Sequence, residues 1–256
     1  MCSSCGCGHD GARVTTLGEP EGHPHDDHTH EGHTHEHVPA DPGTRTHTLE
    51  LEVAVLAKND ELAAANRDRL AGLEIVAVNL MSSPGSGKTT LLERTITDST
   101  RPVTVIEGDQ ETLFDAERIR RAGARAVQVN TGAGCHLDAT MVARALDSLD
   151  PEPGSLLFVE NVGNLVCPAL FDLGESRKVV VISVTEGDDK ALKYPHMFAA
   201  ADLVVVNKTD LLPYVDFDVD RFSADAATLN PAVRIVPVSA KTGAALDVWQ
   251  QWLDAL

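Results

Sequence analysis

Twelve residues, Asn79-Leu80-Met81-Ser82-Ser83-Pro84-Gly85-Ser86-Gly87-Lys88-Thr89-Thr90, lead from an apolar run into a helix-forming stretch, and few folds accommodate such a segment. The pattern is G-x-x-x-x-G-K-S/T, with Ser82 standing where the first glycine is expected. Gly85 and Gly87 let backbone N–H groups turn inward around phosphates, and the helix opening near Lys88 presents its positive end to them. Ser82, Ser83, Pro84, Gly85, Ser86, Gly87, Lys88, Thr89 and Thr90 are therefore candidate nucleotide contacts. Lys88 is expected to bridge the β- and γ-phosphates, and the Thr89 hydroxyl to ligand Mg2+. A plain Gly-rich turn would have no use for the adjacent Lys-Thr.

That loop belongs at the end of a strand, and the chain alternates short apolar runs with helical stretches after Gly72. Candidate strands are Ile75–Met81, Val103–Glu107, Ala126–Asn130, Leu156–Glu160, Val179–Val184, Leu203–Asn207 and Ile235–Val238. Most are continuously apolar, which suits strands buried on both faces of a mostly parallel sheet, with helices as crossovers. The expected fold is a three-layer α/β P-loop GTPase domain over residues 48–256. Within it, Leu49–Leu70 reads as one helix, or as two broken near Lys58-Asn59-Asp60. Residues 1–47 are rich in His, Gly, Asp, Glu, Pro and Thr and nearly empty of large apolar side chains. They cannot bury enough surface to offset their conformational entropy, so a disordered, His-rich tail is expected there.

The base is read farther along. Asn207-Lys208-Thr209-Asp210 follows an apolar strand and matches N-K-x-D. The Asp210 carboxylate can accept hydrogen bonds from guanine N1 and its exocyclic amine, a pair that adenine cannot supply, and Lys208 can lay its stem along the base. Ser239-Ala240-Lys241, after the last strand, resembles a second guanine-contacting loop. The nucleotide is thus expected to be GTP. Between the two motifs, Leu156-Leu-Phe-Val-Glu-Asn-Val-Gly163 occupies the place of D-x-x-G, with Glu160 as the acid. Glu160 is placed to hold Mg2+ directly or through water, and the Gly163 amide to sense the γ-phosphate. Asp109, after the second strand, is a further Mg2+ or water-positioning candidate; a surface acid at a strand end is the alternative for both. The expected catalytic set is Lys88, Thr89, Asp109 and Glu160, with slow turnover because no Gln or Arg finger is evident.

Three groups of residues suggest transition metals. Cys2, Cys5 and Cys7 put three thiols within six residues, with glycines that permit a tight wrap around one soft or borderline cation. His23, His25, His28, His30, His33, His35 and His37 follow, and neutral imidazoles so closely spaced suit several weak, exchanging sites for Ni2+, Cu2+ or Zn2+. A solvated polar tail without a metal role is the alternative. The third group, Cys135, His136 and Cys167, lies just after predicted strands on the nucleotide side of the sheet. Buried cysteines are also common packing material, so spacing alone leaves this group open. Three ligands underprovide a tetrahedral or square-planar ion, which a two-fold dimer could complete.

A formal net charge of −18 argues against sequence-independent nucleic-acid binding and against docking on anionic lipid. No run approaches a membrane span and the N-terminus lacks a secretory pattern, so a soluble cytoplasmic protein is expected.

Taken with the nucleotide motifs, the Cys-rich start, Asn130-Thr-Gly-Ala-Gly-Cys-His-Leu-Asp-Ala139 and Val159-Glu-Asn-Val-Gly-Asn-Leu-Val-Cys-Pro-Ala169 closely resemble the HypB family, SIMIBI-type GTPases of nickel–iron hydrogenase maturation. The resemblance covers nearly the whole chain. It implies a GTP-favoured homodimer that carries nickel and, with other maturation proteins, helps insert it into the precursor of the hydrogenase large subunit. It also implies a nickel motif at Cys2, Cys5 and Cys7 and a metal site, for nickel or zinc, at Cys135, His136 and Cys167. Two alternatives stand beside it: a nickel store whose GTPase is incidental, and the urease accessory GTPase UreG, against which the Cys-rich start and the Cys-His/Cys pair speak.

Overall fold

Strands apolar on both faces need cover on both faces, and this requirement organises the chain. The computed structural model describes residues 13–16, 42–109, 114–132 and 134–256. Its strands are β1 (Arg13–Thr16), β2 (Val76–Ser82), β3 (Val103–Asp109), β4 (Arg125–Asn130), β5 (Leu156–Gly163), β6 (Arg177–Ser183), β7 (Leu203–Asn207) and β8 (Arg234–Pro237). They form one sheet in the order β1-β4-β3-β5-β2-β6-β7-β8. The seven strands from β2 to β8 pair in parallel, and β1 pairs antiparallel with β4 at the edge. The mostly parallel three-layer fold read from the apolar runs is therefore the fold observed.

Among the described residues, eight α-helices complete the layers: α1 (Pro42–Gly72), α2 (Lys88–Asp98), α3 (Phe114–Arg121), α4 (Ala139–Leu149), α5 (Lys190–Lys193), α6 (Pro195–Ala199), α7 (Val219–Leu229) and α8 (Leu246–Asp254). On one face, Leu91 and Leu92 of α2, Ile119 of α3 and Trp249 of α8 pack with Leu80, Val105, Phe158 and Val181. The Trp249 indole N–H is satisfied by Thr95 Oγ1 at 2.8 Å. The opposite face is split between two clusters. Leu70 of α1 and Val142 and Leu146 of α4 cover Ile106, Val129 and Leu157, while Met197, Phe198 and Phe222 cover Val180, Ile182 and Val204.

α1 is continuous through Lys58-Asn59-Asp60, where the sequence left a break open. Asn59 is an indifferent helix former because its side chain competes for nearby backbone groups. Here that side chain is engaged elsewhere, donating to Asp172 O (2.8 Å) and accepting from Ala139 N (2.9 Å). α1 begins at Pro42, a residue suited to a first helical turn because it has no N–H to leave unpaired, and β1 is formed by Arg13–Thr16. Val14, Thr15 and Thr16 are β-branched residue types, which favour strands. The expected metal ligands of the tail, Cys2, Cys5, Cys7 and His23 to His37, lie outside the described residues. No helix among the described residues is long and apolar enough to cross a membrane.

Candidate nucleotide and metal sites

At the carboxyl end of β2 the chain reverses direction across the sheet, the place where open α/β sheets form a ligand crevice. The Gly-rich loop lies there, between β2 and α2. Gly85 (φ 74°) and Gly87 (φ 97°) adopt left-handed conformations that side chains disfavour. Gly87 also has no room: a Cβ would run into the Asn207 side-chain amide, which donates to Ser86 O at 3.0 Å. The Asn207-Lys208-Thr209-Asp210 motif and the loop are thus in direct contact. Ser82, the departure from the usual first glycine, is buried, and its Oγ accepts from Lys88 Nζ at 2.6 Å. Burial pulls the Lys88 amine below its ordinary pKa, and the carboxylates of Glu160, Asp115, Glu107 and Glu186 oppose that shift. The Ser83 hydroxyl donates to Glu186, and Ser86 Oγ is buried without a partner.

Acids converge on the same end of the sheet. Thr89 Oγ1 donates to Glu160 Oε1 at 2.8 Å, while Glu160 Oε2 is buried with no partner. Burial drives the Glu160 carboxyl above its usual range, against the pull of Lys88 and of the Thr89 hydrogen bond. Glu107 of β3 is paired in register with Glu160 of β5. Burial raises its pKa to about 9, with Glu160, Asp109 and Asp115 adding to the effect and Lys88 opposing it. Glu107 Oε2 is likewise unpartnered. Glu107 is not among the residues that the sequence motifs single out; Asp109, two residues on, is. The available signal was a carboxylate inside an otherwise uninterrupted β run, Val-Thr-Val-Ile-Glu. Asp109 closes β3 half-buried, and its carbonyl accepts from Thr131 N at 3.1 Å. A hydroxyl and buried carboxylate oxygens without donors are the hard donors that fit a divalent cation such as Mg2+. Gly163 ends β5 against the loop, where an added Cβ would come 3.0 Å from Pro84 Cα.

The candidate base-reading residues are held from several sides. Asn207 Oδ1 accepts from Lys208 N (2.7 Å) and Ala240 N (3.0 Å), and Lys208, at φ 61°, sends its Nζ to Gly85 O at 2.6 Å. Asp210 Oδ1 accepts from Ser239 Oγ at 2.6 Å. Arg94 on α2 donates to Ala240 O and Lys241 O, each at 3.2 Å, which ties this loop to the phosphate-loop helix.

Cys135, His136 and Cys167 come together, with one ligand atom from each lying within 4.8 Å of the others. The two sulfurs are 2.9 Å apart and form no disulfide; Cys135 Sγ is 3.6 Å from His136 Nδ1. The His136 ring stacks on Phe171 at 3.9 Å, and burial lowers its pKa, favouring the neutral, ligating imidazole. Two thiols and an imidazole suit nickel, copper or zinc and not a hard cation. Among the sequence candidates the fold therefore brings together two sets, the loop–acid–base set and this sulfur–imidazole set, at neighbouring strand ends.

Comparison with known proteins gives the following. Residues 76–237 match the family model described as CobW/HypB/UreG, nucleotide-binding domain. Over 220 residues the chain is 55% identical to a hydrogenase maturation factor HypB of Rhizobium leguminosarum bv. viciae, covering 85% of this chain and 73% of that one. The crystal structure of HypB from Archaeoglobus fulgidus is similar, with a TM-score of 0.73 and 44% identity, over 78% of this chain and 98% of that one. HypB from Helicobacter pylori, solved in complex with nickel, gives 0.72 and 41%, over 77% and 93%.

Proposed function

The chain belongs to the HypB branch of the CobW/HypB/UreG family, and from that premise we propose that it is a slow GTP-hydrolysing nickel metallochaperone of hydrogenase maturation. The observation that carries this reading is the Cys135, His136 and Cys167 cluster, which follows β4 and β5 at the same end of the sheet as the phosphate loop after β2. The nickel complex of the Helicobacter pylori relative supports nickel as the cargo.

In this reading GTP lies with its phosphates on the Gly85–Lys88 backbone and its base against Asp210 and Lys208. Lys88, freed from Ser82, bridges the β- and γ-phosphates. Thr89 and Glu160, with Asp109 and Glu107 as further oxygen donors, would hold Mg2+, which would supply positive charge against the phosphates. Water attacks the γ-phosphorus, the bond to the β-γ bridging oxygen breaks, and GDP and phosphate leave. Cys167 stands four residues beyond Gly163, so a γ-phosphate contact at Gly163 is joined by a short segment to a metal ligand. Its loss on hydrolysis changes ligand geometry and lets nickel go. A GTP-favoured homodimer supplies the ligands that three residues leave wanting.

The test mixes nickel-loaded protein with nickel-free precursor of the hydrogenase large subunit, in GTP, GDP or no nucleotide, and reads precursor maturation. Transfer is expected to be fastest with GTP and to drop at least tenfold in Cys167→Ala. Equal transfer by Cys167→Ala in every nucleotide state would leave the protein a nickel store.

A further inference from the structure

The residue after the metal-ligating histidine touches both strands that bear the Mg2+-site acids. Leu137 is fully buried. A Cβ placed on Gly108, between Glu107 and Asp109, would lie 2.8 Å from Leu137 Cγ and Cδ1, so the leucine fills the space that this glycine leaves. The Leu137 N–H donates to Asn161 Oδ1 at 3.2 Å, and Asn161, 1% exposed, directly follows Glu160. Asn161 Nδ2 in turn donates to Asn79 Oδ1 (3.3 Å) on β2, the strand that leads into the phosphate loop. Asn79 donates to Glu175 Oε1 (3.1 Å), and Glu175 Oε2 accepts from Leu173 N (2.7 Å), beyond Cys167.

The other side of the same segments is pinned by α1. Asn59 joins Ala139 N to Asp172 O, and Asn66 Nδ2 donates to Ala139 O (2.9 Å) and Leu173 O (3.1 Å). Two buried amides thus clamp the segment following His136 to the segment following Cys167. Held on the helix side and touched on the sheet side, the Cys135-His136 turn has a fixed anchor and a joint.

We propose that Asn161 and Leu137 are this joint: positioning residues that pass the state of the nucleotide site to the metal ligands, while Asn59 and Asn66 serve as the anchor. The inference rests on the reading above, in which nucleotide state controls nickel. When the ends of β3 and β5 shift around Mg2+ and the γ-phosphate, Gly108 and Asn161 carry Leu137 with them, and His136 is its covalent neighbour. A movement of about 1 Å far exceeds metal–ligand tolerances of roughly 0.2 Å. By linkage, nickel at the cluster alters nucleotide affinity by the same factor through the same contacts.

The experiment measures nickel affinity of the full chain with GDP and with a non-hydrolysable GTP analogue, subtracting the isotherm of Cys167→Ala in each state to isolate the internal site. The wild type is expected to show an affinity ratio in the range of about 5- to 150-fold typical of coupled sites. Asn161→Ala is expected to bring that ratio within about twofold of unity while GTP affinity without metal stays within about threefold. Asn59→Ala, the same chemistry removed from the anchor, is expected to lower nickel affinity in both states and keep the ratio. If Asn161→Ala does not fold, Leu137→Val, which retreats from Gly108 and keeps the backbone bond, is read in the same way. A wild-type ratio retained in Asn161→Ala, or in Leu137→Val where that variant stands in, overturns the inference alone. A wild-type ratio of one overturns nucleotide control and the inference together.

Discussion

Replacing Glu107 by Gln tests the buried acid pair in protein free of nucleotide and divalent cations, so that the oxygen-donor role of Glu107 plays no part. The folded chain keeps the Glu107 proton up to about pH 9, because burial and the facing Glu160, Asp109 and Asp115 carboxylates outweigh Lys88, whereas the unfolded chain gives it up near 4.5. Folding therefore takes up a proton in this window, so stability falls as pH rises from the unfolded value towards the folded one. One proton is worth about 1.4 kcal/mol per pH unit, so between pH 5.5 and 7.5 Glu107 removes about 2.7 kcal/mol. For a chain of this size that corresponds to roughly 5–10 °C in Tm. The glutamine is neutral at every pH and fits the same space. Urea unfolding of both proteins at the two pH values, nucleotide-free and in a chelator so that no cation draws the carboxylate into its charged form, gives the comparison. Glu107→Gln is expected to lose about 2.7 kcal/mol less than wild type on going to pH 7.5. Parallel losses, within about 0.5 kcal/mol, would refute a protonated Glu107.

Two further outcomes concern the guanine contact and the metal ligands expected before residue 38. Asp210→Asn is expected to weaken GTP binding by roughly 5- to 150-fold, the cost of about 1–3 kcal/mol for a lost buried hydrogen-bond partner, and to shift preference to xanthine nucleotides; unchanged GTP affinity by calorimetry would remove the assignment. In nickel titrations of the full chain, Cys5→Ala is expected to lose the tightest tail site, and deletion of residues 20–37 to lower stoichiometry by several weak ions that wild type releases below about pH 6.5; a tight site surviving in Cys5→Ala, or an unchanged stoichiometry, would count against two grades of tail site.

By itself the sequence determined what is local. The phosphate loop, N-K-T-D and Ser239-Ala240-Lys241 are legible because their chemistry sits in contiguous residues, and each follows an apolar run that has to be a strand end. Most strands were legible because both faces are buried, so most positions along them are apolar and the run stands out from polar surroundings. Only the tertiary structure decided which distant residues meet. Cys135 and Cys167 are 32 positions apart and touch because β4 and β5, one strand apart in the sheet, end on the same side. Glu107 looks like an ordinary acid until the β3–β5 register sets it beside Glu160, and burial then does what sequence cannot display: it changes the proton affinity of the group. Asn59 reads as a weak point in a helix and is instead a bridge between two loops, because the partners that satisfy it come from residues 139 and 172. Local pattern fixes which elements form; hydrogen-bond partners, desolvation and shared sites arise from packing, and they exist only once the sheet has been ordered.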